Sequence, residues 1–124
     1  MNEIRKKNRF VAAYNGLVAV YNSERNFKIH LFAFIAVVIS GFYFGISKLE
    51  WMMVLGCAFL VLTCEIFNTA IEKLCDFVHP KFDSNIGRIK DMSAAAVLTC
   101  TIMSIVIGVL VFMPYLINRI GDLA

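Results

Sequence analysis

Three long apolar stretches constrain this chain more than any other feature. Leu31 to Ile46 is apolar apart from Ser40, Trp51 to Phe67 forms a second run, and Met92 to Ile117 a third. At 1.5 Å per helical residue the first covers roughly 24 Å, slightly short of the ~30 Å hydrocarbon core of a bilayer. Phe27, Ile29 and the stems of Lys28 and Lys48 can extend it, because long basic side chains bury their methylenes and keep their charge in water. A soluble fold is excluded by size. The chain has 124 residues, of which 60% are hydrophobic and 17% charged. So small a domain has too much surface for its volume to hide that many apolar side chains. The sequence therefore predicts one all-α membrane domain spanning 1–124.

The segment before the first run is different. Residues 1–9 carry Arg5, Lys6, Lys7 and Arg9. From Phe10 onward, Phe10, Val11, Tyr14, Leu17, Val18 and Tyr21 recur with helical period and make one apolar stripe. Flanked by bases, this stripe predicts an amphipathic helix over about 8–28 that lies along the membrane surface. The spans are expected at about 30–47, 50–70 and 92–117. Ser47–Glu50 reads as a tight external turn, Trp51 as an interfacial anchor, and HPKFDSNIGR at 79–88 as a loop. Ser93-Ala94-Ala95-Ala96 is small enough for close helix approach. No cleavable signal peptide is expected, since the first long apolar run begins only near Leu31. Cys57, Cys64, Cys75 and Cys100 form no CxxC pair and read as small apolar side chains.

Charge placement sets the expected orientation. Of the twelve Lys and Arg, six precede the first span and four lie between the second and third; Lys48 and Arg119 fall on the other side. The positive-inside rule then places the N-terminus and the second loop in the cytoplasm and the C-terminus outside.

The chemistry is concentrated where the second span ends, in Glu65-Ile-Phe-Asn68-Thr-Ala-Ile-Glu72-Lys-Leu-Cys-Asp76. At about 100° per residue, Asn68, Glu72 and Asp76 lie within about 60° of Glu65 around the helix. Four polar side chains thus share one stripe over three turns. Glu65 follows a long apolar stretch, and a carboxylate there costs several kcal/mol unless it is paired, protonated or metal-bound. Stacked acids repel one another, so the stripe points to a bound cation. A simple solvated exit from the membrane accounts for Asp76 and Glu72 but not for Glu65. Arg88, Lys90 and Asp91 follow just before the third span. Bases beside acids suit a ligand that carries phosphate and a divalent metal, since Mg²⁺ is commonly held by one or two carboxylates plus phosphate oxygens. Neither GxxxxGK[ST] nor GxGxxG occurs, so any nucleotide is bound without a P-loop. Glu24 is a further acid at the same expected interface. His30 reads as a structural histidine at a span boundary, and His79, before Pro80, as a turn residue.

These residues carry a resemblance. The run Glu65-Ile-Phe-Asn68-Thr-Ala-Ile-Glu72 with Asp76, followed by Lys90-Asp91-Met92-Ser93-Ala-Ala-Ala-Val97, closely resembles the signature of the small bacterial membrane lipid kinases, the prokaryotic diacylglycerol and undecaprenol kinases. Asn15-Gly16-Leu17 and Ser23-Glu24-Arg25-Asn26-Phe27 resemble the N-terminal motif of that family. The resemblance implies a homotrimer with composite sites at subunit boundaries in the bacterial inner membrane. It implies ATP as cosubstrate, Mg²⁺ as cofactor, and transfer of the γ-phosphoryl group to a lipid hydroxyl. Carried onto this chain, it makes Glu65 the general base and Glu24 and Glu72 the metal-bridging carboxylates. Lys90 and Asp91 would contact ATP, Lys81 to Asp83 would lie against the nucleotide, and Asn68 and Asp76 would support the site. Asn15 and Phe27 join as supporting or substrate-side residues. Arg5 and Arg9 both remain open as the arginine that closes over the phosphates.

One departure is that Ser93-Ala94 follows Met92 where the diacylglycerol branch often has Gly-Ser, so a serine at the second position is absent. The Glu24-Arg25-Asn26-Phe27 and His79-Pro80 features are more similar to the undecaprenol branch, which favours undecaprenol over diacylglycerol. The rival from another class is a small transporter with Glu65 as a proton or cation carrier, as intramembrane acids often are. Against it, the acids cluster at one interface with Lys90 and Asp91 and not at the midplane.

Overall fold

A computed structural model describes residues 8–122; Arg5 lies outside the described residues. Within them the chain is four helices: α1 Arg9–Ser23, α2 Arg25–Phe44, α3 Lys48–Val78 and α4 Ser84–Gly121. α2, α3 and α4 are each long and apolar enough to cross a membrane. At 1.5 Å per residue α2 is about 30 Å long, one hydrocarbon thickness, whereas α3 and α4 reach about 46 and 57 Å. The two longer helices therefore outreach α2, and the excess carries polar residues such as Glu72, Asp76 and Lys90.

Each boundary has a local cause. Asn8 caps α1 through its Oδ1, which accepts from the Phe10 N–H. The expected surface helix and first span meet earlier than 28–30, at Glu24, whose extended backbone (φ −114°, ψ 117°) separates α1 from α2. Gly45 ends α2 with φ 63°, a left-handed conformation that glycine adopts without a Cβ clash, and the Ile46 N–H returns to the Gly41 carbonyl. Ser47 then opens α3 with a capping box: its hydroxyl accepts from the Glu50 N–H while Glu50 Oε2 accepts from the Ser47 N–H at 2.7 Å. The turn between α2 and α3 is thus Gly45–Ser47, and Ser47–Glu50 is the first helical turn. The expected loop at 79–88 shortens to His79–Asp83. Asp83 Oδ1 accepts from the Asn85 and Ile86 N–H groups and starts α4 at Ser84.

The packing is antiparallel. Residue numbers of facing pairs rise along one helix as they fall along the other: Asp76 with Lys90, Asn68 with Ser93, Cys64 with Cys100, Glu50 with Tyr115. α2 packs on the same central helix, with Phe34 against Phe59 and Phe42 against Trp51 at centroid distances of 5.0 Å. Gly41 is buried beneath Trp51, so that a Cβ there would lie 2.5 Å from the indole ring. The apolar core sits at this end of the bundle, around Ile46, Val54 and Val111 with Phe44, Phe112 and Tyr115. α1 is held at the opposite end. Lys73 Nζ donates to Ser23 Oγ at 2.9 Å, and Lys28 lies 5.1 Å from the Tyr21 ring centre. Within a single chain the stripe Phe10, Val11, Tyr14, Leu17, Val18 and Tyr21 is exposed. So are many apolar residues of the spans, among them Phe32, Ile39, Leu98 and Leu110, as lipid-facing side chains should be.

Candidate active site

The polar stripe of α3 grades from core to water. Glu65 is 3% exposed, Asn68 is buried, Glu72 is half-buried, and Asp76 is exposed.

Each of these side chains has a partner from another helix or from the next turn. Glu65 Oε1 lies 3.1 Å from His30 Nε2 of α2, at hydrogen-bonding distance. Asn68 Nδ2 donates to Glu72 Oε1 at 3.2 Å. Asn68 Oδ1 accepts from the hydroxyl of Ser93 of α4 at 2.6 Å. The Lys90 carbonyl lies 2.9 Å from the same hydroxyl, which has one proton and so donates to one of the two at a time. Lys90 Nζ pairs with Asp76 across the α3–α4 contact. Glu24, at the head of α2, makes no cap hydrogen bond through its side chain. Glu24 and Glu72 are both close enough for their charges to act on Glu65. Beside the stripe a cleft of about 310 Å³ is lined by Asn26, His30, Glu65, Asn68, Ala94 and Thr101, among others.

Glu65, Asn68, Glu72, Asp76 and Lys90 are therefore one connected region, with Glu24 beside it. The remaining residues expected at the site are more peripheral. Asn15 is exposed on α1, Arg9 is exposed at its first residue, and Asp91 is exposed on α4. Phe27 is buried in the first turn of α2, three residues before His30. Lys81 is exposed in the short loop. Asp83 is occupied as the α4 cap, and the Ile86 and Asn85 N–H groups hold its carboxyl below the usual carboxylate range. Among the described residues no group of three or more His, Cys, Asp or Glu side chains converges as a metal cage.

The packing adds two residues to the network: His30, which the sequence presents as structural, and Ser93, which it presents as one small residue in a packing run. The sequence does carry a signal for both, since a polar side chain at the edge of an apolar span needs a partner, and on helices that partner is commonly on the neighbour. Which neighbour it is requires the packing. The cysteines also gain a detail. Cys64 and Cys100 are free thiols whose sulfurs lie 3.3 Å apart across the α3–α4 contact.

The family described as prokaryotic diacylglycerol kinase matches residues 11–112, which include α2, α3 and the whole acidic stripe. This chain belongs to that family. Similar proteins include the undecaprenol kinase of Bacillus subtilis (strain 168), 36% identical over 107 residues that cover 86% of this chain and 87% of the relative. The diacylglycerol kinase of Escherichia coli (strain K12) is 28% identical over 94 residues, 76% of this chain and 77% of the relative. That of Synechocystis sp. (strain ATCC 27184 / PCC 6803 / Kazusa) is 27% identical over 110 residues, 88% of this chain and 63% of the relative. With three helices able to span a bilayer, this family member is a multi-pass membrane protein and a lipid kinase.

Proposed function

We propose that this kinase transfers the γ-phosphoryl group of ATP to the hydroxyl of a membrane lipid, with undecaprenol favoured over diacylglycerol as acceptor. The observation that carries this reading is the buried Glu65, held against His30 in a cleft beside two further carboxylates at one end of the bundle. A carboxylate so placed can take the proton of a lipid hydroxyl, while the half-buried and exposed turns that follow can reach a water-soluble nucleotide. The chemistry balances simply. The acceptor oxygen bonds to the γ-phosphorus as its proton passes to Glu65, and the bond from the γ-phosphorus to the bridging oxygen breaks to release ADP. Such a transfer needs mainly positioning and charge neutralisation.

The donor set suits Mg²⁺. Among the described residues the Glu24 carboxylate makes no cap hydrogen bond, and Glu72 uses Oε1 for Asn68 with Oε2 left over. Hard carboxylate oxygens, one or two per ion and completed by phosphate oxygens, are what Mg²⁺ takes. When bound, the ion would offset charge on the phosphates. Asn68 fixes Glu72, and Ser93 fixes Asn68, so α4 orients a carboxylate on α3. Lys90 spends one of its three N–H donors on Asp76 and has two for phosphate oxygens. Asp91, Lys81, Asp83 and an N-terminal arginine, Arg5 or Arg9, complete the nucleotide side of the proposal. Asn15 and Phe27 belong to the supporting or acceptor side.

The greater identity to an undecaprenol kinase supports the acceptor choice. We place the N-terminus and the acidic site in the cytoplasm and the C-terminus outside, in a bacterial inner membrane, on the distribution of Lys and Arg. α1 lies on the membrane surface, and the functional unit is a homotrimer with sites between subunits. Reporters fused to both termini test the topology, and finding both on one side refutes it. The decisive assay presents purified protein with undecaprenol and with diacylglycerol, with labelled γ-phosphate and with or without Mg²⁺. Mg²⁺-dependent label in undecaprenol is expected. Label in neither lipid refutes the kinase reading, and label in diacylglycerol alone reverses the acceptor choice.

A further inference from the structure

His30 stands at the junction of two clefts. One is the polar cleft that contains Glu65 and Asn68. The other, about 400 Å³, runs between α2 and α4 and is lined by apolar side chains such as Phe34, Val61, Phe112 and Leu116. His30 and Thr101 line both. Glu65 is almost fully buried on α3, and the nearest basic group to its carboxylate across the helix contact is His30 Nε2, 3.1 Å from Oε1. When Glu65 is ionised it can only accept, so a hydrogen bond at this contact requires the ring hydrogen on Nε2. Oε2 of Glu65 makes no hydrogen bond among the described residues.

A flexible glutamate has three side-chain torsions, and a base is useful only when its lone pair meets the reacting proton. From this geometry we infer that His30 is the positioning residue of Glu65. Its Nε2–H holds Oε1, and Oε2 remains free to accept the proton of the acceptor hydroxyl. The inference rests on the phosphotransfer reading above. Three facts make the role orientational and not merely space-filling. The contact is polar, it joins two different helices, and it falls on the one carboxylate in the stripe that is buried. His30 acts through Glu65 and is not itself a proton acceptor in the transfer.

The test compares His30→Phe, which keeps ring volume but has no donor, with His30→Gln, which keeps an uncharged N–H near the Nε2 position. Both are assayed on purified protein with ATP and the lipid that the wild type phosphorylates. Misplacement of a reacting group by about 1 Å costs about 10²-fold. His30→Phe should therefore lower kcat by about 10- to 100-fold and leave the KM for ATP within about threefold. His30→Gln should recover most of the rate. Adding His30→Phe to Glu65→Gln should cost little more than Glu65→Gln alone, since groups that act as a unit are not additive. Thermal unfolding is followed on the same samples. His30→Phe at wild-type kcat overturns the inference, as does a stably folded His30→Gln no faster than His30→Phe. Multiplicative losses in the double variant also overturn it and indicate separate roles. A wild-type protein that labels no lipid is a different failure, because it removes the kinase reading and this inference with it.

Discussion

Replacing Glu65 by Gln tests the centre of the proposed site with the smallest structural change. The two side chains are nearly isosteric. Gln keeps an oxygen that can accept from His30 Nε2, now 3.1 Å from Glu65 Oε1, but it cannot take a proton at neutral pH. A hydrogen bond to a charged group is worth about 1.5–3 kcal/mol and one between neutral groups about 0.5–1.5, so about 1 kcal/mol of contact is lost. Against this, a carboxylate 3% exposed no longer has to be kept out of water, which removes a penalty of comparable or larger size. The fold should be unchanged in stability or slightly more stable. Activity should behave quite differently. Loss of a general base typically costs about 10²–10⁴-fold, and the loss should fall on kcat with ATP affinity nearly intact. Thermal unfolding, nucleotide affinity and initial rate of lipid phosphorylation on one preparation separate these effects. A Glu65→Gln protein that turns over within about threefold of wild type refutes the base assignment, since that is far below the general-base effect. A destabilised protein with full activity per folded molecule would make Glu65 structural instead.

Glu72→Gln should abolish activity by weakening Mg²⁺-nucleotide binding, and Glu24→Gln should act the same way more mildly; a Mg²⁺ titration of the rate that is unchanged in either variant removes that residue as a ligand. Gly41→Ala should lower the unfolding midpoint, because the added Cβ would stand 2.5 Å from the Trp51 ring and overpacking costs about 1–3 kcal/mol. Since Gly41 lies at the far end of the bundle from Glu65, activity per folded molecule should persist, and a variant as stable as wild type counts against this packing. Mild oxidation should join Cys64 to Cys100, 3.3 Å apart, as a disulfide within one chain, detected as a cross-linked peptide by mass spectrometry; recovery of both thiols unmodified argues against the α3–α4 register. The Asp83 carboxyl is held low by the Ile86 and Asn85 N–H groups. Its cap is therefore complete above the unfolded carboxylate value of about 3.9 and fails as pH falls through the lower folded value. With intrinsic exchange rates divided out, protection of the Asn85 and Ile86 amides should be lost only below that value, and Asp83→Asn should show no such pH-dependent step.

Much of this protein is determined by local composition. Three apolar runs of bilayer length require helices that satisfy their own backbone hydrogen bonds, whatever their neighbours are. The acidic stripe is equally local, since 3.6 residues per turn puts Glu65, Asn68, Glu72 and Asp76 on one face before any other helix is considered. Helix ends are less legible. Gly87 and Asn85 make residues 79–88 look like a loop, yet Asp83 caps a helix that begins at Ser84, and the break at Glu24 has no glycine or proline to mark it. What hydropathy cannot supply is rotation and register between helices, because many azimuths bury equal apolar area in a bilayer. Packing alone sets His30 against Glu65, Ser93 against Asn68, and Lys90 against Asp76. An apolar span tells which residues leave water. Only the fit of one helix surface into another decides which of the few polar groups meet, and at Glu65 that meeting turns a costly buried acid into a held one.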